Sequence, residues 1–285
     1  MNTQLSLNPI TDLRELFTFP FMVNALEAGT IVAVLAAVAG WYMVLRRQSF
    51  TGHTLSVMAF PGAAGAALAG LPTGLGYYMA CGGAALFMRR ARGSIRRTYG
   101  TETATIATVQ VVGLAAGFLF LSLNNSVLGG TETLLFGTFL GISRGQVLVL
   151  LTVALVALAL IGLAARPLLL ETIDSESARA RGLPVAILDT GFLLVLAAAV
   201  AATSQITGAL LVFALLVAPA AAAQQLTMRP GAGLALSVLF GLATVWLALG
   251  LAYFSIYPVG FYVTSIAFAL FLAARLARAI RTRRA

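Results

Sequence analysis

The sequence predicts an all-α membrane protein: a polytopic bundle of about nine transmembrane helices, with a short outer-face segment and a short cytoplasmic helix. Three observations carry this. Of 285 residues, 60% are hydrophobic and 9% charged, with a mean hydropathy of +0.97, whereas a soluble domain carries about 25% charged residues. Apolar runs repeatedly reach roughly 20 residues, the length a helix needs to cross hydrocarbon. The arginines gather at the ends of those runs, as the positive-inside rule expects.

Residues 1–24 read as an interfacial segment in which LRELFTF lies along the membrane surface, since Asp12, Arg14 and Glu15 interrupt any leader-like apolar core. The membrane domain spans 25–274. Its first span runs from about Ala25 to Leu45 and stops at Arg46-Arg47. A second runs to about Gly70 and is interrupted at Pro61-Gly62; a turn at Leu71–Gly74 opens a third, ending at Met88 before Arg89, Arg90, Arg92, Arg96 and Arg97. The fourth covers about Thr103–Leu123. Thr133–Ile142 is apolar but too short to cross. The fifth, Gln146–Ala165, leads through Arg166-Pro167 into ETIDSESARARGLP, and the sixth runs from about Val185 to Thr203. The polar run Thr203–Thr207 reads as a turn before the seventh, Gly208–Leu226. The eighth, about Ala232–Phe254, turns at Tyr257-Pro258 into the ninth, about Val259–Ala274, and an Arg-rich cytoplasmic tail, 275–285.

Charge fixes the expected orientation. If Thr133–Ile142 stays on the outer face, the N-terminus is outside, the C-terminus is cytoplasmic, and only Arg14 and Arg144 of the 18 arginines face outward. If it crosses, the downstream topology inverts and the tail becomes external. The first arrangement places ETIDSESARARGLP in the cytoplasm.

That stretch, about 174–184, has the order of a short capped helix. Ser175 is the expected N-cap, Glu176 sits in the first turn, Arg179 and Arg181 in the last, and Gly182 then Pro184 end it. Such a helix cannot lie in hydrocarbon, so it rests on the surface, either as an ordinary capped loop or as a contact for another protein.

Composition also excludes functions. All 18 basic residues are arginine and none is lysine, so the chain has no P-loop, whose lysine reaches the phosphates. Arginines confined to span ends argue against nucleic acid as a partner despite a net charge of +9. No catalytic His/Asp/Ser or Cys/His constellation exists, and the lone Cys81 reads as a small buried hydrophobe. Within the spans, His53, the only histidine, is either an interfacial residue or a path residue, imidazole being suited to zinc and weaker for manganese or iron. Glu27 either attracts cations at the outer end of the first span or is a hydrated interfacial carboxylate. Glu102 and Asp189 are explained by placement at helix N-termini. Pro61 and Pro219 mark either flexing points or static kinks.

Several segments together resemble the permease subunits of metal ABC importers of the zinc/manganese type. PFMVNAL (Pro20–Leu26), VLRRQSFTGHTLSVMAFPGAAGA (Val44–Ala66), TETATIA (Thr101–Ala107), LLFGTFLGIS (Leu134–Ser143), ARARGLPV and GALLVFALLVAPAAAA (Gly208–Ala223) occur in the family's order along nearly the whole chain. The resemblance implies a homodimeric permease of a bacterial cytoplasmic membrane. It would dock on two cytoplasmic ATP-binding subunits that hold ATP and Mg, and be fed by an extracytoplasmic metal-binding protein. It further implies that Ser175, Glu176, Arg179, Arg181 and Gly182 belong to a coupling helix seated on the ATPase. The chain itself carries no cofactor. It departs from the family at His53, where Asp is usual, and at Val57, where His is usual; one imidazole remains and the carboxylate is lost. A conduit must release its ion, so His53 would be a transient ligand at most. Alternatives are a permease for siderophores, other metal chelates or corrinoids, which usually carries an extra span, and an ion-coupled secondary carrier, which would show inverted halves and midplane carboxylates.

Overall fold

The computed structural model describes residues 17–94, 101–123, 131–137, 141–209 and 211–284, and every regular element among them is helical. In chain order these are α1 (Pro20–Leu45), α2 (Ser49–Leu68), α3 (Thr73–Ser94), α4 (Thr101–Leu123), α5 (Thr131–Phe136), α6 (Arg144–Ile173), α7 (Ser175–Ala180), α8 (Val185–Thr207), α9 (Val212–Leu226), α10 (Pro230–Tyr253) and α11 (Val259–Arg284). Six of them, α1, α4, α6, α8, α10 and α11, are long and apolar enough to cross a membrane. The other three expected spans differ. Helix α9 has 15 residues. Helix α2 has 20, with Ser, Thr and His in its first two turns, and α3 has 22, ending in arginines.

Helix α1 is the centre of the bundle, packed by α6, α8, α9 and α10, while α8 extends the core toward α2 and α3. It is apolar on all faces and rich in Ala and Gly, as a helix surrounded by others must be. Small residues let backbones approach: a Cβ on Gly40 would lie 1.9 Å from the Leu216 carbonyl oxygen of α9. Polar side chains tie the same helix to its neighbours. Ser237 Oγ donates to the Ala37 carbonyl at 3.0 Å and Gln224 Nε2 to the Trp41 carbonyl at 3.1 Å. The outer surface is reversed in character. On α6, Leu148, Leu155 and Leu163 are exposed, as are Leu247 on α10 and Phe268 on α11, a surface suited to lipid and not to water.

Several expected boundaries move for identifiable reasons. Helix α1 begins at Pro20, where the fixed proline φ suits a first helical position, so 20–24 belong to the span. Pro61, Pro167 and Pro219 all lie inside continuous helices; α6 runs past Arg166-Pro167 to Ile173. The polar run Thr203–Thr207 is the last turn of α8, because Thr203 and Thr207 return their hydroxyls to the carbonyls of Ala199 and Thr203 at 2.7 and 3.0 Å. The turn falls on Gly208, φ 75°, as α8 gives way to an α9 beginning at Val212. The tail continues α11 as helix to Arg284. The short segment expected at the outer face forms α5, which sits on the α8–α9 turn: Ala209 N donates to Leu134 O at 3.2 Å, and a Cβ on Gly208 would meet Leu135 O at 2.4 Å. Most of residues 1–24 and the loop arginines Arg96 and Arg97 lie outside the described residues.

Gly40→Ala should therefore destabilise the bundle by about 1–3 kcal/mol through overpacking. Gly82→Ala, inside α3 where an added Cβ meets nothing within 4 Å, should leave the thermal unfolding midpoint in detergent unchanged or slightly raised.

Candidate functional site

Helix α7 is built as the sequence predicts, with one change. The N-cap is Asp174, not Ser175. Its Oδ1 accepts from the Glu176 and Ser177 amides, both at 3.0 Å, and its Oδ2 from the Ser177 hydroxyl. A carboxylate also complements the positive helix N-terminus, so Asp wins over the neighbouring Ser. At the other end Gly182 takes φ 75°, and the amides of Gly182 and Leu183 return to the carbonyls of Arg179 and Ala178 at 2.9 and 3.1 Å. Ser175, Glu176, Arg179, Arg181 and Gly182 are all exposed; Ala178 alone in the helix is buried. A charged, capped and projecting helix is thus held against the bundle by one methyl group and by its flanking helices.

Those flanks meet at a single guanidinium. Arg46 caps the C-terminus of α1. It bonds Glu171 of α6 through both nitrogens, Nη1 to Oε2 at 2.9 Å and Nη2 to Oε1 at 3.2 Å. Nη2 also reaches Asp189 Oδ1 of α8, and the guanidinium lies 5.1 Å from the centroid of the Phe192 ring. The Arg46 and Glu171 side chains are only 5% and 6% exposed, while Asp189 is 46% exposed. This corrects the account of Asp189 as a helix-terminus residue: it lies beyond the first turn of α8 and pairs with Arg46. The side chain of Glu102 lies outside the described residues.

His53 is half-buried in the second turn of α2. Its ring meets Phe213 of α9 edge-on at 4.9 Å, and its Nε2 lies 3.2 Å from Gln110 Nε2 of α4. The Gln110 carbonyl oxygen lies 3.4 Å from the Thr54 hydroxyl, which also faces the Phe50 carbonyl at 3.0 Å, and the Gln110 amide and the His53 ring form a hydrogen-bonding pair between α4 and α2. Nδ1 is buried without a protein partner among the described residues. Val57 is buried one turn on. No group of three or more His, Cys, Asp or Glu side chains capable of holding a metal occurs among the described residues.

The remaining expected path residues do not converge on His53. Glu27 pairs with Arg144 at the start of α6, both partly exposed, so its charge is already answered. It lies about 28 Å from Arg46 along α1, at 1.5 Å per residue. Pro61 is buried against α4, where a Cβ on Gly117 would lie 3.1 Å from its Cα, and Pro219 is buried in α9.

The Asp174 cap generates a test. The Ser177 hydroxyl, then the Ser177 and Glu176 amides, hold the Asp174 carboxyl below its ordinary value. A depressed pKa stabilises the folded helix fully above the unfolded value of about 4, and that contribution disappears as pH falls through the folded value. Amide protection factors across residues 176–180, taken against the intrinsic rate at each pH, should fall in that acidic range, and at neutral pH in Asp174→Ala, whereas Ser175→Ala should leave them unchanged.

With this geometry in hand, comparison with known proteins is direct. The ABC 3 transport family profile matches residues 18–278. The chain is 32% identical over 228 residues to the chelated iron transport system membrane protein YfeC of Yersinia pestis, covering 80% of this chain and 76% of that one. It is 30% identical over 242 residues to the manganese transport system membrane protein MntC of Halalkalibacterium halodurans, covering 85% and 81%. The solved structure of PsaBC from Streptococcus pneumoniae in complex with Fab superposes with a TM-score of 0.81 at 25% identity, covering 94% of this chain and 95% of that one. The chain belongs to the ABC 3 transport family.

Proposed function

We propose that this chain is the membrane-spanning subunit of an ATP-driven importer that moves a divalent transition metal, zinc or manganese, across a bacterial cytoplasmic membrane. The observation that carries the reading is α7: exposed, capped at both ends and rigidly flanked, in a chain of the ABC 3 transport family that has no lysine for a P-loop of its own. ATP and Mg then reside on two copies of a cytoplasmic partner, which α7 contacts through Ser175, Glu176, Arg179, Arg181 and Gly182. A second copy of the chain completes the permease, and an extracytoplasmic binding protein delivers the metal. Nine spans, with the N-terminus outside, the C-terminus cytoplasmic and α5 on the outer face, give the arginine distribution its lowest cost. Helices α2, α3 and α9 join the six clear spans in that count.

The polar groups of α2 turn inward: Thr51, Thr54 and Ser56 are buried. With His53 they supply the polar lining that a cation path requires. Manganese is supported by the relative named for manganese transport. A second reading, iron or an iron chelate, is supported by the relative named for chelated iron transport.

The deciding experiment is co-purification of the chain with its cognate ATPase, followed by metal uptake in proteoliposomes. Assembly and ATP-dependent uptake of Mn2+, Zn2+ or Fe2+ are expected; no complex, together with uptake independent of ATP, would sink the proposal. Alanine across Glu176–Arg181 should keep the bundle folded and abolish uptake while hydrolysis continues. His53→Ala should slow uptake with hydrolysis retained, and unchanged uptake would remove His53 from the path.

A further inference from the structure

Helix α7 touches the bundle through little more than Ala178, so any force applied to it must leave through the ends of α6 and α8. Both ends are held by one side chain. We infer that Arg46 is the positioning residue through which displacement of α7 reaches the translocation helices, with Glu171 and Asp189 as its two attachments. This rests on the reading of α7 as the helix that contacts the ATPase.

The geometry gives each part a role. The two-nitrogen fork on Glu171 fixes both distance and orientation, and Thr172 Oγ1 lies a further 3.4 Å from Nη1. The Phe192 ring lies against the guanidinium from α8. Arg46 is therefore part of a rigid joint between α6, α8 and α1. There is no slack on its far side. Arg47 takes φ 55°, Gln48 N bonds back to Met43 O at 2.9 Å, and α2 starts at Ser49. A shift of the joint is thereby delivered to the first turns of α2, which carry His53 and the buried Thr51 and Thr54.

The two attachments are unequal. Glu171 is buried and uses both carboxylate oxygens; Asp189 is nearly half-exposed and bonds Arg46 through one. Water can replace Arg46 at Asp189 but not at Glu171. The Glu171 arm is the fixed one, and the Asp189 arm is the one that opens and closes as α7 moves.

The test uses the complete transporter, with ATPase and binding protein, in proteoliposomes. It reads metal taken up per ATP hydrolysed for whichever of Mn2+, Zn2+ and Fe2+ the wild-type vesicles accumulate. Asp189→Asn should lower that ratio about tenfold, the scale of a typical coupling between sites, while ATPase assembly, hydrolysis and thermal midpoint stay near wild type; Arg46→Lys, which loses the fork on buried Glu171, should lower the ratio and the thermal midpoint together. Asp189→Glu should preserve the ratio. Glu171→Gln should lower both the ratio and the thermal midpoint. An unchanged ratio in Asp189→Asn and Arg46→Lys, with α7 alanine variants still uncoupled, overturns this inference alone. Hydrolysis and uptake falling in proportion, together with the thermal midpoint, reduce Arg46 to a structural clamp and overturn it equally. If Arg46→Lys does not fold, the Asp189→Asn and Asp189→Glu pair decides. Failure of the wild-type chain to assemble with an ATPase overturns the functional reading, and this inference with it.

Discussion

A guanidinium buried beside carboxylates is tolerable only when its hydrogen bonds are nearly all made, because taking the ions out of water costs several kcal/mol each. Arg46 comes near that condition through its two Nη groups, with a fork on Glu171, a third bond to Asp189 and an aromatic face from Phe192, while its Nε is buried without a partner among the described residues. The constraint then works in reverse. Once one side chain must satisfy groups on α6 and α8 while standing at the end of α1, the three helix ends can meet in only one way. Breaking such a pair from one side typically costs about 3–5 kcal/mol, so the arrangement is self-enforcing. The placement of α7 follows from it, since α7 is the short link between the two helices that Arg46 holds.

The rest of α1 is pinned in the same manner, by polar contacts at intervals along an otherwise apolar rod. Asn24 donates to the Ile142 carbonyl at 3.1 Å near the N-terminal end of α1, where Glu27 also meets Arg144. Ala37 and Trp41 offer carbonyls to α10 and α9 further down. Between these points the packing is of small residues, and Gly40 sits almost on the backbone of α9. In a bilayer the hydrophobic effect does not distinguish helix from lipid, so close van der Waals fit and interhelical hydrogen bonds must do the associating. Small residues and paired polar groups inside, with large aliphatic side chains outside, are the sequence-level form of that requirement.

This explains which features the sequence reveals. Hydropathy is a local property, so the six long apolar spans and the short helices α5 and α7 are legible from runs of residues alone. The six clearest spans stand out as apolar helices, whereas α2 blurs because its polar residues face inward. Turn chemistry is local too, but competes at close range: Asp174 and Ser175 are both good caps, and the charge of the first suits the helix N-terminus better. The polar run before Gly208 misleads because threonine hydroxyls can be satisfied by their own helix. Pro167 misleads because α6 continues through it to Ile173, neighbouring helices supplying the support that an isolated helix lacks. The Arg46 joint is hidden for another reason. Glu171 and Asp189 stand 125 and 143 residues from Arg46, and no spacing rule reaches that far. The available signal is weaker: three charges placed just inside the ends of apolar runs, each needing a partner.

A transporter needs parts that hold and parts that yield, and the chemistry of this chain separates them. The α1 carbonyls of Ala37 and Trp41 accept bonds from α10 and α9. Along α2 the pattern is looser. Thr54 and Ser56 also bond back to their own helix, His53 Nδ1 has no protein partner among the described residues, and Pro61 removes one backbone bond. Groups satisfied within their own helix do not resist sliding past a neighbour, whereas cross-helix bonds do. Sliding is therefore cheaper at Ser56 of α2, bonded within its own helix, than at Ala37 and Trp41 of α1, which are tied to α10 and α9. A lone imidazole with an amide and a phenyl ring for neighbours offers a cation a single ligand, and a single ligand cannot make a tight site.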